Sequence, residues 1–166
     1  MYETELRSAL RECPFTSEIG EEHLEELAAV ASWVKYPTGT VIFREGSLSS
    51  EIYLIVDGSV SLEICAPGAG CRRILTVGKG ELLGWSPVLE QAPLTATART
   101  IIDTTAVQIS AGQVITLCEH NPRFGYEFMR RAAVALAKRL SATRLQLLDV
   151  YGTEMPSITE SQEEGP

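Results

Sequence analysis

The spacing of hydrophobic positions changes character twice along this chain. Over Glu3–Cys13 and again near Glu21–Ser32, apolar residues recur at helical intervals, with Leu24, Leu27, Ala28 and Ala31 on one face of the second segment. Pro14 closes the first of these helices. From about Val34 the rhythm becomes that of short strands punctuated by glycine: TVIFREG, EIYLIVDGSVSLEICA, CRRILTVG and ATARTIIDTTAVQIS. Val60, Leu62 and Ile64 alternate with Ser61 and Glu63, as in a strand with one buried face. Pro67-Gly68-Ala69-Gly70 reads as the turn of a hairpin joining two such strands. Many short strands with close turns predict a β-sandwich or barrel over about residues 34–110.

After Ser110 the helical period returns. Ala111–Glu119 is short, and Asn121-Pro122 opens a long helix that runs to about Tyr151. Leu136, Leu140, Thr143, Leu147 and Val150 are spaced 4, 3, 4 and 3 apart, which makes a heptad seam on that helix. Leu145 and Leu148 add apolar surface beside it, and the reading favoured here is a homodimer through this helix. The plainer alternative packs the seam on the protein's own barrel. Residues 152–166 hold four Glu, two Pro and no basic residue, the composition of a disordered acidic tail.

At 166 residues the chain suits one domain with a self-sufficient core, flanked by a helix over 1–12 and the tail. No apolar run reaches the length of a membrane span, and MYETELRSAL lacks the basic and apolar regions of a signal peptide. A cytoplasmic location follows as the default. A net charge of −8 argues against nucleic acid as partner. Six of the 14 basic residues (Arg123, Arg130, Arg131, Lys138, Arg139, Arg144) fall in the late helical stretch, and the solvated side of an amphipathic helix is a better reading of them than a docking face. Cys13, Cys65, Cys71 and Cys118 show no metal-ligand spacing. Cys65 and Cys71 flank APGAG and can face each other across the hairpin, but for a cytosolic chain reduced thiols are favoured. With His23 and His120 far apart, neither a metal site nor a histidine-based triad is supported, and a cupin-like metalloenzyme is set aside.

Residues 80–98, GELLGWSPVLEQAPLTATA, carry the functional signal. Gly80 and Gly84 permit sharp turns, and Ser86-Pro87 reads as the cap and first residue of a short helix, an arrangement suited to anions. Yet the only charges are Glu81 and Glu90, and Trp85 and Leu94 sit where a ligand would be gripped.

Gly39-x-x-Ile42-x-x-x-Gly46 and Tyr53-x-Ile55-x-x-Gly58-x-Val60-x-Leu62, together with Cys13-Pro14-Phe15 and Asn121-Pro122, resemble the cyclic-nucleotide-binding domain family over roughly residues 12–150. The resemblance implies a jelly-roll barrel, mainly β with flanking helices, with the domain at 13–151 and helices over about 111–151. It also implies a phosphate-binding cassette: Gly-Glu, a short helix, then Pro-Arg-Ala-Ala/Ser-Thr, the Glu for a ribose hydroxyl and the Arg for the cyclic phosphate. Aligned without a gap, Gly84, Pro93, Ala96 and Thr97 match, while Trp85 stands at the Glu and Leu94 at the Arg. A second register places Gly80-Glu81 on the Gly-Glu but lengthens the path to Pro93 by four residues. Neither supplies the Arg, because Arg99 belongs to the following strand.

A charge-assisted hydrogen bond contributes about 1.5–3 kcal/mol, and each ~1.4 kcal/mol is tenfold in affinity. Tight binding of cAMP or cGMP in the family's usual mode is therefore not expected. Amides at Ser86-Pro87-Val88 and the hydroxyls of Thr95 and Thr97 remain as partners for weaker or rearranged binding. Two functions follow. One is a regulatory module sensing a cyclic nucleotide or another small ligand, with Trp85, Leu94 and Ala96 at an apolar pocket closed by the long helix near Thr143, Arg144 and Leu147. The other is a ligand-independent dimeric adaptor in which Trp85 and Leu94 fill the cavity. The family's frequent DNA-reading helix-turn-helix is not expected, since 15 acidic-rich residues follow Tyr151.

Overall fold

The computed structural model describes residues 2–152. Two helices, α1 (Tyr2–Glu12) and α2 (Glu21–Ala29), lead into eight strands. These are β1 (Ala31–Tyr36), β2 (Val41–Phe43), β3 (Glu51–Asp57), β4 (Ser59–Ala66), β5 (Gly70–Gly78), β6 (Leu82–Leu83), β7 (Thr97–Thr100) and β8 (Thr104–Ser110). A four-residue helix, α3 (Ser86–Leu89), interrupts them between β6 and β7. Helices α4 (Ala111–His120) and α5 (Pro122–Tyr151) complete the described chain.

The strands form two antiparallel four-stranded sheets, ordered β1-β8-β3-β6 and β2-β7-β4-β5, the jelly roll that the family resemblance implied. Side-chain alternation then makes two cores. In the first sheet Tyr53 and Ile55 of β3, Leu83 of β6 and Ala106 of β8 face Val60, Val77 and Ala98 of the second sheet. Their neighbours Ile52, Leu54, Leu82, Val107 and Ile109 face the other way, onto Leu10, Leu24, Leu27, Phe124 and Phe128 of the helices. Because the first sheet is covered on both faces, β3 reads as an almost unbroken apolar run, IYLIV. The Asp57–Ser59 corner needs glycine at its middle. Gly58 has φ +106, and a Cβ there would lie 2.7 Å from Asp103 O and Thr104 Cα.

Three boundaries or pairings differ from expectation. Helix α2 ends at Ala29, because Ala31 and Ser32 pair with Ile109 and Gln108 as the start of β1. Sheet pairing here overrides a helical apolar period that runs on to Ala31. Cys65 and Cys71 are joined in a disulfide rather than reduced. The β4–β5 register sets the two residues directly opposite each other, with Cα atoms 4.0 Å apart. Arg131, counted above among solvated basic residues, donates to the carbonyls of Pro14 and Phe15 and pairs with Glu18, tying α5 to the turn after α1.

Up to Ala132 the chain forms one compact unit, and a second begins at Ala133. The long helix is present as the heptad spacing requires. In its second part Leu140, Leu147 and Val150 are 54%, 48% and 69% exposed, and Leu136 is half-buried. Thr143 and Arg144 are exposed as well. Apart from Gly152, the acidic tail lies outside the described residues.

Candidate functional site

The segment that carried the functional signal folds in two halves. Gly84, with φ +70, turns the chain out of β6; a Cβ there would sit 3.2 Å from Phe43 Cε1 and 3.6 Å from Tyr53 Cδ2. That close approach brings the start of the segment against aromatic rings that pack on the core between the sheets. Phe43 and Tyr36 flank Tyr53 with ring centroids 6.4 and 6.3 Å from it. Burial, and then the neighbouring Tyr36, push the Tyr53 phenol far above its ordinary value, so it stays a neutral hydroxyl. Burial raises Tyr36 too.

Helix α3 follows, but its N-cap is Trp85, with no side-chain cap bond, rather than the expected Ser86, which is the first helical residue; Pro87 lies in the first turn. Val88 N–H donates to Trp85 O at 3.1 Å and Glu90 N–H to Ser86 O at 3.0 Å. The N–H of Ser86 precedes the first intrahelical bond and Pro87 has none, so this end offers little beyond Ser86. Val88 is buried and Trp85 half-buried, and both pack against the helix-side core rather than the core between the sheets. Residues expected together at one pocket are thus divided: Gly84 abuts the inter-sheet aromatics, and Trp85 belongs to the opposite face of the first sheet.

The second half is clamped to the loop after β2. Gly46 N–H donates to Leu94 O at 2.7 Å, Leu94 N–H to Ser47 O at 2.8 Å, and Glu45 N–H to Thr97 Oγ1 at 2.9 Å. Leu94 is 5% exposed; Ala96 and Thr97 are buried and Thr95 is exposed. The Thr97 hydroxyl accepts from Glu45 and keeps its own proton to donate. Glu45 reaches onward, its Oε2 accepting from Cys65 N–H at 3.1 Å.

Charge in this region is arranged against an anion. Between residues 84 and 97 the only ionisable side chain is Glu90. Arg99 lies in β7, where its Nε is 3.4 Å from Glu63 Oε2 and its Nη1 donates to Gly39 O. Glu63 is further fixed by the Ser61 hydroxyl at 2.8 Å. Glu81, the acid of the second register, accepts from Gly78 N–H at 2.7 Å and so serves the turn before β6. No group of three or more metal-ligating side chains occurs among the described residues.

A family model for the cyclic nucleotide-binding domain matches residues 33–121, more than half of the chain. The chain belongs to the cyclic nucleotide-binding domain family. Within it, the chain is 28% identical over 130 residues to the CRP-like cAMP-activated global transcriptional regulator of Mycobacterium tuberculosis, covering 78% of this chain and 56% of that one. It is 30% identical over 112 residues to the cyclic AMP receptor protein of Thermus thermophilus, covering 68% and 50%. This cyclic nucleotide-binding domain therefore spans about half the length of the curated relatives it matches. A cyclic nucleotide-binding domain from Methylobacillus flagellatus shares the fold with a TM-score of 0.75 at 18% identity, covering 95% of this chain and 86% of that one. No described helix is long and apolar enough to cross a membrane.

The ties of residues 84–97 to the rest of the barrel were not anticipated from the sequence. The hydrogen bonds from residues 45–47 depend on strand register, which no local pattern encodes. The Arg99–Glu63 pair likewise arises from the β4–β7 register.

Proposed function

We propose that this chain is a non-enzymatic regulatory module whose ligand-facing segment is residues 84–97, and that it does not bind cAMP or cGMP tightly in the family's usual mode. The observation that carries this is Leu94. In the ungapped register it takes the place of the phosphate-pairing arginine, and here it is buried, apolar and held by backbone bonds on both sides. The nearest arginine along the chain, Arg99, is engaged by Glu63 and Gly39. A phosphodiester would meet the Ser86 amide and the Thr95 and Thr97 hydroxyls with no arginine in the place of Leu94, a costly desolvation. With a net charge of −8, the chain's share in any transcriptional system is sensing rather than contact with nucleic acid.

Calorimetry and thermal shift with cAMP, cGMP, cyclic dinucleotides and haem test this reading. Because the two curated relatives are named for cAMP, cAMP is the first ligand to try. The native chain is expected to show no cAMP binding at micromolar concentration, and Leu94→Arg to gain about tenfold or more in affinity. Micromolar cAMP binding by the native chain would overturn the proposal. Silence of both proteins towards every ligand would favour the second reading, a ligand-independent dimeric adaptor. That reading is supported by the exposed Leu140, Leu147 and Val150 on α5.

A further inference from the structure

His23, on α2, is 8% exposed and sits against the junction of α4 and α5. Asn121 closes α4, its N–H bonded to Leu117 O at 2.8 Å, and starts α5, its Oδ1 accepting from Phe124 N–H at 3.3 Å. Only the amide oxygen can accept from a backbone N–H, so this cap fixes which way the Asn121 side chain points. Its Nδ2 is then 3.0 Å from His23 Nε2. Two donors cannot meet at that distance favourably, so Nε2 must be the bare, accepting nitrogen and the imidazole proton must lie on Nδ1.

Nδ1 faces Glu127, one turn further along α5, with Oε2 at 3.5 Å. That is too long for a firm hydrogen bond, and both Nδ1 and Glu127 Oε2 are buried without a hydrogen-bond partner. Phe124 stands edge-on to the imidazole, ring centroids 5.6 Å apart, and keeps the ring in place. The charged groups around it are Glu127 and, 4.0 Å beyond it, Arg123 on α5; on its own helix Glu26 lies one turn along, its Oε2 also buried without a hydrogen-bond partner. His120 on α4 is turned towards Thr116 O at 2.8 Å.

We propose that His23 is a proton-operated latch on the first turn of α5. While neutral, it accepts from Asn121 and holds the cap closed on Phe124. A second proton, taken from solvent, can only go to Nε2. There it opposes Asn121 Nδ2, so the amide must turn its oxygen to the imidazolium and release the Phe124 N–H. Meanwhile Nδ1–H closes on Glu127 as a charge-assisted bond. Protonation therefore exchanges a helix cap for an ion pair, and the start of the long helix becomes sensitive to pH.

NMR on the native chain tests this. At pH 8 the His23 ring nitrogens should report the Nδ1–H tautomer. As His23 titrates, protection of the Phe124 amide from exchange should fall roughly five- to tenfold, the loss expected for one side-chain cap, with the same midpoint. Asn121→Asp offers acceptors to both Phe124 and His23 Nε2–H, so its Phe124 protection should not change through the His23 titration. His23→Gln should abolish the step. An Nε2–H tautomer at pH 8, or Phe124 protection that ignores the His23 midpoint, would overturn the proposal. So would a step that survives in His23→Gln.

Discussion

Two glycines with positive φ differ in what a methyl group would meet. At Gly84 the nearest atom is 3.2 Å away, on a phenylalanine ring that can shift. At Gly58 the nearest atoms, at 2.5–2.7 Å, include backbone of Asp103 and Thr104 that cannot. Both Ala variants bear the left-handed backbone cost of about 1–2 kcal/mol, and Gly58→Ala adds a clash that the β3–β4 corner must open to relieve. Denaturant titration should therefore rank Gly58→Ala well below Gly84→Ala in stability. Asp103 acts nearby: its Oδ1 accepts from both the N–H and the hydroxyl of Thr38 at 2.8 Å. These bonds hold its carboxyl below the ordinary value of 3.8. A depressed folded value means the contribution is complete above the unfolded value and is lost as pH falls through the folded one. The acid limb of a stability–pH curve should be shallower in Asp103→Asn. Unchanged acid sensitivity would assign that limb to other carboxylates, such as Glu21, which Arg11 and Arg7 hold low.

Among the elements, the β4–β5 hairpin is the one whose chemistry the sequence left open. Its Pro-Gly turn was legible because turn residues act locally, whereas the expected alternation of β4 fails at Ser61, which is buried, and at Ile64, which is exposed beyond the register shift at Leu62/Glu63. Its disulfide was not legible either, since the compartment argument concerns where proteins live and the pairing concerns register. Cys65 and Cys71 are exposed, while burial pushes the Cys13 and Cys118 thiols up, Cys13 also donating to Gly80 O. In the oxidised protein alkylation should be slow, and reduction should add two fast-reacting sites that peptide mapping assigns to Cys65 and Cys71. Fast labelling of Cys13 before reduction would contradict the packing described. The α2–β1 boundary was misplaced for a related reason. Ala31 continues a helical stripe, and only the partner strand β8 makes it a strand residue.

At the scale of the whole molecule, the fold was readable because short β-rich runs and glycine turns leave marks in one dimension, in an order that resembles the family; the two-sided burial of β3 became visible only in the structure. The site was readable only as a segment. Its ties to residues 45–47, and the separation of Trp85 from Gly84 across a sheet, are products of tertiary assembly. Oligomeric state belongs here too. The apolar seam of α5 is exposed within one chain, and the proposed dimer would cover it. In sedimentation, Leu140→Glu should halve the mass of the native species; an unchanged mass would remove the seam from the account. The position of the two tryptophans has an optical consequence. Trp33 and Trp85 are the only indoles, and both pack on the helix-side core. Their emission is therefore a gauge of the helix layer. A molecule lodged between the sheets would leave that emission unchanged unless α3 moved, and would be seen instead in the ultraviolet bands of Tyr36 and Tyr53.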